Sequence, residues 1–117
     1  MKKFYYLSTC DTCKRIMKEL DLSSFEIIDI KTQNISKGDL ELARKTVNSY
    51  LDLFNKRARK IKELNIDLSS KSEKELEQLI LGEYSFLKRP LMISDSNIIA
   101  GNSKEAIAQM KTLNGNS

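Results

Sequence analysis

The chain has 117 residues, 40% of them apolar and 31% charged, with a net charge of +4 and a pI near 9.1; that balance suits one globular domain and excludes a disordered or fibrous chain. It contains no histidine, which removes the commonest general base, the commonest metal ligand and the usual partner of a catalytic Ser or Cys. No apolar run approaches the ~20 residues that span a bilayer, and the basic start Met1–Leu7 is too short in apolar residues for a signal peptide, so a cytoplasmic protein without a membrane partner is expected.

Phe4-Tyr5-Tyr6-Leu7 predicts a short buried strand that ends at Ser8-Thr9. From Thr12 the period becomes helical, with Cys13, Ile16, Met17 and Leu20 on one stripe. Phe25-Glu26-Ile27-Ile28-Asp29-Ile30 is mostly apolar and predicts a second, internal strand. Strand, helix and strand in so short a span make a βαβ unit with a parallel pair. The middle reads as helical, with Ser36 and Asp39 as caps and Leu40, Ala43, Val47, Leu51 and Phe54 on one face. A basic stretch, Asn55-Lys56-Arg57-Ala58-Arg59-Lys60, follows. Ser72-Glu73-Lys74-Glu75 is a capping box opening a helix that stops at Gly82. Pro90-Leu91-Met92-Ile93 and Ile98-Ile99-Ala100 predict a hairpin that turns at Asp95-Ser96-Asn97. Ser103 caps a last helix, and the tail Asn114–Ser117 is expected to fray. The order is β-α-β, a helical block over roughly 36–85, then β-β-α. Without the block this is an α/β fold of thioredoxin-like arrangement, a four-stranded mixed sheet in a single domain.

Cys10-Asp11-Thr12-Cys13 carries the chemistry. A Cys-x-x-Cys beside a βαβ unit reads as a redox centre. Cys10 stands where a strand ends and a helix begins, and there unpaired N–H groups and the helix dipole favour a thiolate. Cys13, one turn on, is close enough to attack a mixed disulfide on Cys10. Zinc would need four ligands, and haem attachment would need histidine where Lys14 stands. A structural disulfide closing so short a loop would contribute little. The alternative is two unrelated small apolar residues in an inert scaffold. Lys14 adds positive charge close to Cys10, whereas Arg15 reads as an ordinary exposed helix residue. The net charge permits anionic partners without demanding them, and no direct nucleic-acid binding is expected.

Three segments resemble the arsenate reductase-like family, which includes the Spx transcription regulators: Leu7–Lys14, Leu53–Arg57 with Ile61–Leu64, and Leu87–Ile93. The resemblance runs nearly end to end and implies a thioredoxin-like fold with an inserted helical block. It implies that Pro90 is cis and faces the thiols, although a trans proline is the ordinary expectation. It also places Cys10 on the family's nucleophile and Arg89 on an oxyanion-binding arginine, with Arg57 a further candidate anion ligand. Glutathione, glutaredoxin or thioredoxin would supply electrons, with no bound cofactor and no metal. Two departures count against arsenate as substrate. The glutathione-linked reductases carry Ser at the position of Cys13, and a further arginine where Gly101-Asn102-Ser103 stands here. The functions implied are therefore a thiol–disulfide oxidoreductase, an Spx-like redox sensor that binds RNA polymerase, or an arsenate reductase.

Overall fold

The computed structural model describes residues 1–113; the Asn114–Ser117 tail lies outside them. The chain forms two compact units, one from residues 1–33 with residue 89 onwards, the other from residues 34–88.

The first unit carries strands β1 (Lys2–Tyr6), β2 (Glu26–Asp29), β3 (Leu91–Ser94) and β4 (Asn97–Ala100), with helices α1 (Asp11–Lys18) and α5 (Lys104–Leu113). The strands form one mixed sheet in the order β2-β1-β3-β4. β1 runs parallel to β2 and antiparallel to β3, and β3–β4 is the expected hairpin. Asp95 in its turn takes a left-handed φ of 57°, a conformation that Asp and Asn tolerate better than most residues. Phe4, Met92 and Ile99 lie side by side across three strands. They meet Ile16 of α1, Leu20 just beyond its end, and Ala106 and Met110 of α5 in one apolar cluster. The i, i+4 spacing of Ala106 and Met110 turns one stripe of α5 to the sheet face that Ile16 of α1 also covers. Ser103 opens α5 by accepting the Ala106 N–H at 3.0 Å, which satisfies one of the helix's orphan donors.

The second unit holds α2 (Lys37–Arg44), α3 (Arg59–Glu63) and α4 (Glu73–Gly82), with 3₁₀ turns at Tyr50–Leu53, Leu68–Ser70 and Tyr84–Phe86. Ser36 caps α2 through the Asp39 N–H at 3.1 Å. Ser72 and Glu75 form the reciprocal capping box on α4, at 3.2 and 2.9 Å. At the other end of α4, the Asn34 amide donates to the Ile80 and Leu81 carbonyls at 2.9 and 3.2 Å, groups a helix end leaves without partners. Phe54 and Phe86 stack at 5.0 Å in the interior. Glu77 is buried there and accepts the Tyr50 hydroxyl at 2.8 Å.

Two expectations from the sequence are corrected. β2 is an edge strand rather than an internal one, paired only with β1. Its Ile28 is buried but its Ile27 is 42% exposed. A continuous apolar run does not distinguish a strand covered on both faces from one at the rim. The apolar face from Leu40 to Phe54 is not one helix either. α2 stops at Arg44, and a separate 3₁₀ turn begins at Tyr50. Between them Thr46 donates its hydroxyl to the Ala43 carbonyl at 2.7 Å, and Ser49 starts a new capping box with Asp52. Short hydroxyl side chains compete in this way for the groups that would continue a helix.

Candidate active site

β1 ends at Tyr6 and α1 begins at Asp11, so Leu7-Ser8-Thr9-Cys10 must turn the chain from sheet to helix. The Cys10 N–H closes that turn on the Leu7 carbonyl at 3.0 Å. Cys10 is the N-cap of α1, in extended conformation, and its carbonyl accepts the Lys14 N–H at 3.2 Å. Its side chain makes no cap hydrogen bond as a thiol, which leaves the sulfur available at the helix start. Cys10 is partly exposed, Cys13 is fully buried, and both are free thiols.

The two thiols are driven in opposite directions. Burial opposes ionisation of Cys10, but the Cys13 backbone N–H, the Cys13 thiol and the charge and hydrogen bonding of Arg89 outweigh it, and the Cys10 thiol titrates below its ordinary value. Burial dominates at Cys13 and pushes its thiol up to about 12; the Leu7 backbone and Arg89 oppose this, while Cys10 reinforces it. A thiolate is the nucleophile and a buried thiol is inert until its neighbour changes.

Arg89 reaches Cys10 because of strand register. β3 pairs antiparallel with β1, Leu91 opposite Tyr5. Carried past the strand's end, that register runs Pro90 and Arg89 alongside the residues that lead from β1 into the Cys10 turn. The Arg89–Pro90 peptide is cis. The Pro90 carbonyl accepts the Gly101 N–H at 2.9 Å, and Gly101 holds a φ of 99°, which a residue with a Cβ rarely adopts.

A model of the ArsC family matches residues 5–110. The chain belongs to the ArsC family. Its thioredoxin-like fold is shared with solved structures. An arsenate reductase from Vibrio cholerae superposes with a TM-score of 0.77 at 16% identity, over 93% of this chain and 96% of that one. A protein from Yersinia pestis gives 0.79 at 13% identity, over 93% and 99%. One from Staphylococcus aureus COL gives 0.72 at 27% identity, over 94% and 98%. No curated protein matches the chain in sequence.

Within this ArsC-family chain, Cys10, Cys13, Lys14, Arg89 and Pro90 all belong to the first unit. Lys14 is exposed on the first turn of α1, and it is Arg89 rather than Lys14 whose charge leads in favouring the Cys10 anion. Arg57 belongs to the second unit, exposed in the loop before α3, where its N–H donates to Asn55 Oδ1 at 3.3 Å. Among the described residues no group of three or more His, Cys, Asp or Glu could hold a metal ion, and no helix is long and apolar enough to cross a membrane. Sequence reasoning missed two residues that shape the site. One is Gly101, whose backbone meets Pro90. The other is Asp29, whose carboxylate accepts the Ser8 N–H at 3.2 Å. A lone Asp closing an apolar strand carries no signal for such a contact.

Proposed function

We propose that the chain is a thiol–disulfide oxidoreductase in which Cys10 attacks and Cys13 resolves. The observation that carries this reading is the opposed ionisation of two thiols at positions 10 and 13, the first activated at a helix start beside Arg89 and the second buried. The Cys10 thiolate attacks one sulfur of a substrate disulfide, forming a mixed disulfide and expelling the other half as a thiolate. Formation of that bond removes the negative charge that holds the Cys13 proton. Cys13 then gives its proton to the departing thiolate and attacks the Cys10 sulfur. The substrate leaves as one thiol and one thiolate, the latter taking a proton from solvent, and the protein as a Cys10–Cys13 disulfide. Two equivalents of glutathione, or one of reduced glutaredoxin or thioredoxin, return the pair to the dithiol and are themselves oxidised to a disulfide. No bound cofactor is required, and a reducing cytoplasm would keep such a centre as free thiols between turnovers. Arg89 stabilises the Cys10 anion and offers charge to an anionic substrate such as glutathione. Arsenate is expected to be a poor substrate, because Cys13 stands where the glutathione-linked reductases carry Ser, and Gly101-Asn102-Ser103 where they carry a further Arg.

The test is steady-state reduction of a small model disulfide, and of arsenate, with glutathione and glutaredoxin. Cys10→Ser should abolish turnover, and Cys13→Ser should leave a mixed disulfide on Cys10 detectable by mass spectrometry. An adduct on Cys13 in Cys10→Ser, with none on Cys10 in the reverse case, would refute the assignment. Efficient arsenate turnover would refute the substrate preference and bring Arg57 forward as an anion ligand. A reversible disulfide without turnover, with capture of RNA polymerase, would replace the enzyme with an Spx-like regulator.

A further inference from the structure

Asp29 takes no part in the exchange chemistry, yet it is tied to the turn that presents the nucleophile. It is the last residue of β2 and pairs in register with Tyr6, the last residue of β1. Its Oδ1 accepts the Ser8 N–H at 3.2 Å and the Lys31 N–H at 3.1 Å. The Asp29 main chain is itself pinned, because its carbonyl accepts the Thr32 and Gln33 N–H groups at 3.1 and 2.9 Å and the Thr32 hydroxyl at 3.0 Å. Immediately beyond, the Ile30 N–H donates to the Tyr6 carbonyl at 2.9 Å. One carboxylate oxygen therefore joins the turn after β2 to the turn after β1. Ser8 lies inside the turn that Cys10 closes on the Leu7 carbonyl.

Resting on the oxidoreductase reading above, we propose that Asp29 is a positioning residue for the nucleophile: by holding the Ser8 N–H it keeps the Leu7–Cys10 turn in the shape that sets the Cys10 sulfur at the start of α1 beside Arg89. The Ser8 side chain and the Lys31 and Ser8 backbones together hold the Asp29 carboxyl ionised, below the usual carboxylate range, so the acceptor is present at neutral pH. The role is geometric rather than electrostatic. A negative charge near Cys10 would by itself disfavour the thiolate, so position and charge predict opposite signs when Asp29 is removed.

That difference in sign decides the experiment. The reduced full-length protein is alkylated with iodoacetamide across pH, and the Cys10 rate is followed by peptide mapping. Three variants separate the causes. Asp29→Ala removes acceptor and charge, Asp29→Glu keeps the charge but displaces the acceptor by one methylene, and Asp29→Asn keeps the acceptor in place without the charge. The expected result is a higher midpoint and an alkylation rate at pH 7 lowered by about three-fold or more in Asp29→Ala and Asp29→Glu, with Asp29→Asn within about two-fold of the parent. Superimposable profiles for Asp29→Glu and the parent would overturn the proposal. So would a lowered midpoint in Asp29→Ala, or an Asp29→Asn profile matching that of Asp29→Ala. Should Asp29→Ala fail to fold, the Asp29→Glu and Asp29→Asn pair carries the comparison alone. Alkylation needs no disulfide substrate, so a parent protein that fails to turn over disulfides would sink the enzyme reading and leave this result separate.

Discussion

Replacing Arg89 by Ala removes a cation that acts on the Cys10 sulfur both through its charge and through a hydrogen bond. Cys10 is only partly buried, so the Coulomb energy of a dry interior does not apply. A part-exposed charge pair contributes about 0.5–1 kcal/mol after solvent screening. Since a factor of ten corresponds to about 1.4 kcal/mol, the thiolate fraction below the midpoint should fall about two- to five-fold. Alkylation at pH 7 should slow by that factor, because the thiolate is the reacting species. Raising ionic strength from about 0.1 to 1 M contracts the Debye length from ~10 to ~3 Å and should narrow the gap between Arg89→Ala and its parent. The assay is the pH dependence of the iodoacetamide rate at Cys10, measured in a Cys13→Ser background so that one thiol is followed. Lys14→Ala in the same background should move the curve less. Identical curves with and without Arg89 would mean that the guanidinium does not act on the thiol, and its assignment as anion ligand would fall with it.

Stability should carry the imprint of both cysteines. The Cys10 thiol is lowered in the fold, so its contribution is present above the unfolded thiol value and is lost as pH falls through the folded one. The Cys13 thiol is raised from 9.0 to about 12 and Tyr50 from 10.0 to about 12. Their contributions are full below the unfolded values and lost as pH rises towards the folded ones. Urea unfolding of the reduced protein should therefore show stability declining above pH 9, with a shallower decline in Cys13→Ala and in Tyr50→Phe; an unchanged slope in both would contradict the burial argument. Tyr50→Phe should also lower stability at neutral pH by about 1.5–3 kcal/mol, because it strips a donor from a buried carboxylate. An unchanged urea midpoint would mean that Glu77 finds another partner.

Much of the fold was legible because its signals are local. The stripe Cys13–Ile16–Leu20, the hairpin around Asp95 and the hydroxyl caps at Ser36, Ser72 and Ser103 each depend on residues a few positions apart. The dithiol was legible for the same reason: a strand end, a helix start and two cysteines one turn apart lie within a single short segment. The middle of the chain was harder. Apolar residues at helical spacing from Leu40 to Phe54 describe a buried face whether or not the backbone is continuous. Thr46 and Ser49 broke it by taking backbone partners of their own.

The sequence by itself determined where the thiols sit, which of them begins a helix, and which strands and helices can form, because each follows from side-chain chemistry and spacing along the chain. Only the tertiary structure decided that β2 lies at the rim, that Asp29 grips the turn before Cys10, and how Arg89, which the sequence placed there by resemblance alone, comes to lie beside the thiol. These depend on which strands pair and in what register. Register is set by the burial of one whole face of the sheet against α1 and α5, a cooperative property that no local pattern contains.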